Sequence, residues 1–180
     1  DLELTNDDIP LDTVKDAKIF WLSVTGLSVE PSRSAHHYAL DARAKKGWTI
    51  ADLDYRDMFW ESEEIASREV GRMLEKVNVA VGNKEECRIA VGETDPDRAA
   101  DALFVRGVEI AIVKQGPKGT LAKTAEERIE VPVTPVEVCN GLGAGDSFGG
   151  SLCHALLEGW DIPRAIQFAS TAGAIVASRL

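Results

Sequence analysis

The sequence predicts an α/β fold in which an open, mainly parallel sheet carries helices on both faces. Three observations predict it. Short apolar runs alternate with longer helical patterns through most of the chain, and the spacing between runs leaves room for right-handed crossovers. The composition, 44% hydrophobic and 28% charged over 180 residues, is that of a globular domain able to bury a core. No internal repeat, low-complexity tract or linker divides the chain, so a single α/β domain over residues 1–180 is expected.

The elements follow in order. "KIFWLSV" (18–24) is a short apolar run suited to a buried strand, and the next stretch reads as a helix with Pro31 at its start and Gly47 at its stop. "WTIADL" (48–53) is the second strand, residues 62–77 a helix with acids in its first turn, and "VNVAVG" (77–82) the third strand. Two short helices follow, "KEECRIAV" and "DPDRAADALFVRG", the second capped by Asp95 with Pro96 at its first position. "VEIAIVKQG" (108–116) is the fourth strand. Residues 119–138 break the rhythm as a hairpin and an extended segment, where Pro132 and Pro135 suit edges. Two helices close the chain, from about Gly145 to Gly159 and from about Pro163 onward.

Charge and composition exclude several functions. A net charge of −10 argues against a broad nucleic-acid surface, which needs clustered Lys and Arg, so an anionic ligand must find a local positive site. No apolar run approaches the ~18 residues of a membrane span, so no membrane partner is expected. Cys87, Cys139 and Cys153 are odd in number and lack CxxC spacing. They support neither a disulfide framework nor zinc; they are expected to be small buried hydrophobes in a reducing cytoplasm. His36 and His37 are adjacent, not four apart, and with His154 they are expected to pack and not to ligate a metal. The four tryptophans lack helical spacing and read as packing residues. The first residue is not Met and the last lies in an unfinished helical pattern, so the sequence is expected to be a piece of a longer protein.

The chemistry concentrates in "GLGAGDSFGG" (141–150). Phe148, Leu152 and Leu156 recur every four residues, so one apolar helix face begins just after Gly145 and Asp146 falls in the first turn. Unpaired amides and the positive end of the helix dipole favour an anion there, and glycines let it approach the backbone. The P-loop pattern fails because no Lys-Ser/Thr pair follows. The dinucleotide fingerprint, and with it an NAD-dependent dehydrogenase, fails because Asp146 stands where the third glycine belongs. An acid in a phosphate cradle needs its own task. General-base catalysis supplies one: Asp146 accepts the proton of an attacking hydroxyl while amides hold the transferring phosphoryl group. A weak base suffices, because phosphoryl transfer is largely dissociative. On spacing alone a simple helix cap behind a tight glycine turn explains the segment equally well.

With those residues in view, "GLGAGDSFGG" resembles the C-terminal signature of the ribokinase-like (PfkB) carbohydrate kinases. Three further segments match in the family's order: "DLDYR" (52–56) is similar to its D-x-N-x-R segment, "GNKEE" (82–86) to its N-x-x-E motif, and "KQGPKG" (114–119) to its nucleotide-phosphate loop. The resemblance covers about Ala17 to Leu180 and corresponds to the C-terminal two-thirds of a member, without the N-terminal part and the small β lid. "TGLSVEPSR" (25–33), "DLDYRDMFW" (52–60) and residues 139–160 most resemble members that phosphorylate a keto-deoxy sugar acid of myo-inositol breakdown.

The resemblance implies an ATP- and Mg²⁺-dependent sugar kinase. Asp146 would be the base, also facing the substrate, and the amides of Gly143, Ala144 and Gly145 an anion hole. Lys114, Gly116, Lys118 and Gly119 would hold the ATP phosphates and Ser170 would lie near the adenine. Asn83 would lie near the phosphates, and Glu86 would reach magnesium through water; an N-cap with an acid in its first turn explains that pair nearly as well. Asp54 and Arg56 would contact substrate, unless Arg56 is merely paired with its neighbouring acids. Asn140 and Leu142 depart from the wider family where a monovalent cation is bound, which argues against potassium activation. A 2-keto-3-deoxygluconate, fructose or ribose kinase, or a nucleotide-binding module without turnover, are the alternatives. A homodimer would form through the absent lid.

Overall fold

The computed structural model describes residues 2–179, and the chain divides into two compact units, 1–113 and 114–180. The first unit is the alternating part of the sequence. Its elements are α1 (Leu11–Asp16), β1 (Ile19–Ser23), α2 (Ser32–Arg43), β2 (Trp48–Asp52), α3 (Glu63–Leu74), β3 (Val79–Asn83), α4 (Lys84–Val91), α5 (Pro96–Val105) and β4 (Ile110–Lys114), whose last residue opens the second unit. The strands lie in the order β1-β2-β3-β4. β1 and β2 pair in parallel with Ile19 opposite Trp48 and Ser23 opposite Asp52, and β2 pairs in parallel with β3.

The central strands explain why this sheet needs two covered faces. Val79, Ala80 and Val81 of β3 and Ala111, Ile112 and Val113 of β4 are all buried, so neighbours pointing to opposite faces are both shielded. Burial of Leu40 on α2, Met73 and Leu74 on α3 and Leu103 on α5 supplies the cover. Helix starts follow local chemistry: Ser62 accepts the Ile65 amide ahead of α3, and Asp95 accepts the Arg98 amide ahead of α5 with Pro96 at the first position.

Two local features differ from the expectation. α1 was not foreseen in the sequence; its six residues bury only Val14, too short a stripe to show a period. The stop of α2 falls not at Gly47 but at Ala44 and Lys45, both at positive φ (51° and 58°). Arg43 explains this. Its guanidinium is buried and donates to the carbonyls of Val14, Lys15, Ala17 and Lys18, tying the end of α2 to the exit of α1.

The second unit holds β5 (Thr120–Lys123), β6 (Arg128–Val131), α6 (Ala144–Leu157) and α7 (Ile162–Ala177). β5 and β6 form the antiparallel hairpin, with Thr120 opposite Val131 and Lys123 opposite Arg128. α6 and α7 pack on each other, and α7 also packs on β5 and β6. A Cβ on Gly173 would stand 3.0 Å from the Ala144 carbonyl, so glycine there lets the first turn of α6 sit against α7. Among the described residues no helix is long and apolar enough to cross a membrane.

Candidate nucleotide and phosphoryl-transfer site

In the second unit the predicted phosphate residues gather around one cavity. Gly143 is the N-cap of α6 at φ 77°, and Asp146 lies in the first turn, as the spacing predicts. The lead-in is held in place: Asn140 Oδ1 accepts the Leu142 amide at 3.0 Å, and the Cys139 and Asn140 amides both donate to the Ala177 carbonyl at the end of α7. The Ala144 amide donates to the Gly141 carbonyl at 3.2 Å and the Ser147 amide to the Gly143 carbonyl at 2.9 Å. The amides of Gly145 and Asp146 therefore head the helix without an intrahelical acceptor. Among the described residues the exposed Asp146 carboxylate takes no hydrogen bond or ion pair.

Lys114 reaches the same place. Its ammonium lies 3.8 Å from where a Cβ on Gly145 would stand, so the positive site that an acidic chain must supply locally sits at the glycine head of α6. Gly116 and Gly119 both take positive φ, 58° and 87°, around a single 3₁₀ turn that carries the exposed Lys118. Only glycine fits at 119, since a Cβ would meet the Val131 carbonyl oxygen at 2.1 Å. The cavity has a volume of about 460 Å³ and takes its lining from Lys114, Gly116, Gly119, Gly145 and Ser170, with largely aliphatic walls. It lies in the size range of small-molecule sites.

The remaining predicted residues lie in the first unit, at the carboxyl ends of β2 and β3. Arg56 Nη2 pairs with Asp54 Oδ1 at 2.8 Å, and Thr25 donates to the Asp54 carbonyl at 2.8 Å. Asn83 and Glu86 form a reciprocal cap on α4. Asn83 Oδ1 accepts the Glu85 and Glu86 amides, and Glu86 Oε2 accepts the Asn83 amide at 2.6 Å. The cap therefore engages one Glu86 oxygen locally. Among the described residues no group of three or more His, Cys, Asp or Glu could hold a metal.

Some residues fall elsewhere than expected. Cys87 is buried, but Cys139 is exposed, in the segment before α6, and Cys153, within α6, is half-buried. His37 is buried against Glu69, and His36 packs on Gly26, where a Cβ would meet its ring at 2.2 Å. His154 joins Trp160 and Phe168 in an aromatic cluster, with Arg164 over the Trp160 ring. All three histidines pack. Thr25, Thr120 and Thr134 were not singled out in the sequence, because a lone hydroxyl carries no spacing signal.

A glycine-capped helix head, a free carboxylate, a lysine and a cavity thus stand together in the second unit, a combination whose chemistry suits an anionic ligand. The chain belongs to the pfkB family carbohydrate kinases, whose family profile matches residues 1–180. Among curated proteins it is 33% identical to the 5-dehydro-2-deoxygluconokinase of Geobacillus thermodenitrificans, over 99% of this chain and 55% of that protein. It is 32% identical to the protein of the same name from Shouchella clausii, over 99% of this chain and 56% of that one. A solved ribokinase-II-type protein from E. coli, in complex with ATP and Mg²⁺, is similar at a TM-score of 0.88 and 26% identity, covering 98% of this chain and 57% of the other. The chain thus spans a little over half the length of the curated relatives it matches.

Proposed function

We propose that the protein transfers the γ-phosphoryl group of ATP to a hydroxyl of a sugar acid, 5-dehydro-2-deoxy-D-gluconate, with Asp146 as the general base. The observation that carries this is the free Asp146 carboxylate in the first turn of α6, behind a glycine N-cap and on the helix whose Gly145 faces the Lys114 ammonium. A side chain kept only as a cap would hold a backbone amide, as those of Asn83, Asp95 and Asp161 do at their helices; no such bond caps α6.

Lys114, Lys118 and the bend between Gly116 and Gly119 hold the nucleotide phosphates, and Ser170 lies with the base in the cavity. The Gly145 and Asp146 amides, with that of Gly143, face the transferring group. The Ala144 amide contributes by the same dipole while bonded to Gly141. Asp146 takes the proton from the attacking hydroxyl as the new P–O bond forms and the bond to the leaving nucleotide diphosphate breaks. Magnesium would supply charge neutralisation of the phosphates when bound; Asn83 and Glu86, assigned to phosphate and hydrated ion by the family resemblance, are held in the reciprocal cap of α4. Arg56, oriented by Asp54, grips the carboxylate of the sugar acid, a pairing its guanidinium suits.

The test is a panel assay of ADP formation with ATP and 5-dehydro-2-deoxy-D-gluconate, 2-keto-3-deoxygluconate, fructose or ribose. The proposal predicts the highest kcat/KM for the first. A higher value for a neutral sugar would sink the substrate assignment, and ATP binding without turnover on any acceptor would favour a nucleotide-binding module.

A further inference from the structure

We propose that the nucleotide cavity of the second unit does not select its base, so that GTP binds there about as well as ATP. The inference rests on the reading of this cavity as the nucleotide site and concerns which nucleotides it takes. Discrimination between adenine and guanine requires groups of fixed polarity, because the two purines present opposite patterns at positions 1 and 6: an acceptor and a donor in adenine, a donor and an acceptor in guanine. A site that fixes one pattern rejects the other strongly, whereas an apolar pocket discriminates weakly.

The side chains of this cavity fix neither pattern. Val133, Pro135, Val136 and Val138 line it from the segment after β6, and Ala174 and Ala177 from α7. Pro135 also withholds a backbone donor. Among the described lining residues no side chain is a carboxamide or a carboxylate; the polar ones are Lys114 and three hydroxyls. The Lys114 ammonium lies at the head of α6, 3.8 Å from where a Cβ on Gly145 would stand. Thr120 and Ser170 lie 3.4 Å apart, hydroxyl to hydroxyl, and either can donate to the other. Reversing that bond turns the outward group from donor to acceptor, so the pair can meet either purine edge. Thr134 differs: Thr171 donates its own proton to the Gln167 carbonyl at 2.9 Å, which leaves Thr134 as donor in their 3.1 Å contact. Thr134 can then only accept from the ligand, and both purines carry N–H donors that it can meet.

The volume agrees. About 460 Å³ exceeds what a purine ring fills, whether adenine or guanine.

The experiment is calorimetric titration of the 180-residue chain with Mg-ATP, Mg-GTP and tripolyphosphate, repeated on Val136→Trp, which fills the cavity, and on Ser170→Ala. Dissociation constants for ATP and GTP are expected within about tenfold of each other, both tighter than for tripolyphosphate. Val136→Trp should weaken both nucleotides at least tenfold and leave tripolyphosphate within about threefold. Ser170→Ala should move the ATP to GTP ratio by less than about threefold. A preference beyond tenfold for either nucleotide, with that nucleotide still weakened by Val136→Trp, would overturn base permissiveness while keeping the nucleotide site. If neither nucleotide binds more tightly than tripolyphosphate, or Val136→Trp has no effect, the base does not enter the cavity and both statements fail.

Discussion

Asp146 and Gly119 show how much a single residue carries in this protein. Asp146 was legible in the sequence because its setting is local: glycines before it and an apolar helix face after it are both read along the chain. Gly119 was legible only through resemblance, since its reason is the Val131 carbonyl, twelve positions away and brought close by the hairpin. Gly119→Ala places a Cβ in that carbonyl at a φ of 87°, whereas Gly159→Ala at φ 70° meets nothing within 4 Å. The expected costs are about 3 kcal/mol or more at 119, and about 1 kcal/mol at 159 for the left-handed backbone alone. Urea unfolding midpoints of the two variants check this, and equal shifts would remove the close approach as the reason for the glycine. Arg43 was not legible at all. A buried arginine whose acceptors are four carbonyls more than twenty residues earlier leaves no pattern near itself.

At the level of elements, the strands and longer helices of the first unit follow from their period, while the contact between α2 and α3 does not. There His37 faces Glu69 at 3.4 Å, with both side chains buried and Arg68 and Arg72 on the other sides of the carboxylate. Lys76, which pairs with Asp41, adds its charge nearby. Burial, then the charges of Arg72 and Lys76, hold His37 below the ordinary histidine range despite Glu69. Burial alone would push Glu69 up, but the hydrogen bond from Arg68, the charge of Arg72 and the hydrogen bond from His37 hold it below the ordinary glutamate range. Both folded-state values lie below the unfolded ones, so both groups contribute stability above the unfolded pKa and lose it as pH falls through the folded one. Thermal stability is expected to decline on acidification from about pH 6.5, first through His37 and through His36, which burial also holds low, and then, below about pH 4.5, through Glu69. His37→Gln should flatten the decline between pH 6.5 and 5 and leave the lower part. An unchanged slope in that upper range would show that His37 does not titrate with folding.

On the scale of the molecule, the residues to which the proposed function is assigned divide between the two units. The cavity, Lys114 and Asp146 belong to residues 114–180, while Asp54 and Arg56 belong to residues 1–113. The family signature was readable because its motifs are short and ordered along the chain. The division into units was not, because no linker composition marks Val113 and Lys114, which sit inside one strand. If Arg56 grips the substrate carboxylate, Arg56→Gln should raise KM for the sugar acid about 10- to 100-fold and leave the dissociation constant of ATP within about threefold. A loss of ATP affinity with an unchanged KM would reassign Arg56 to the nucleotide.

The central claim is that the carboxylate heading α6 removes the proton of the attacking hydroxyl. Asp146→Asn keeps the shape and the helix head but not the base. Turnover of the sugar acid, measured beside the dissociation constant for ATP, is expected to fall about 10²- to 10⁴-fold while ATP binding stays within about threefold. Turnover within a few fold of the parent would contradict the account and leave Asp146 as no more than a residue in the first turn of a helix.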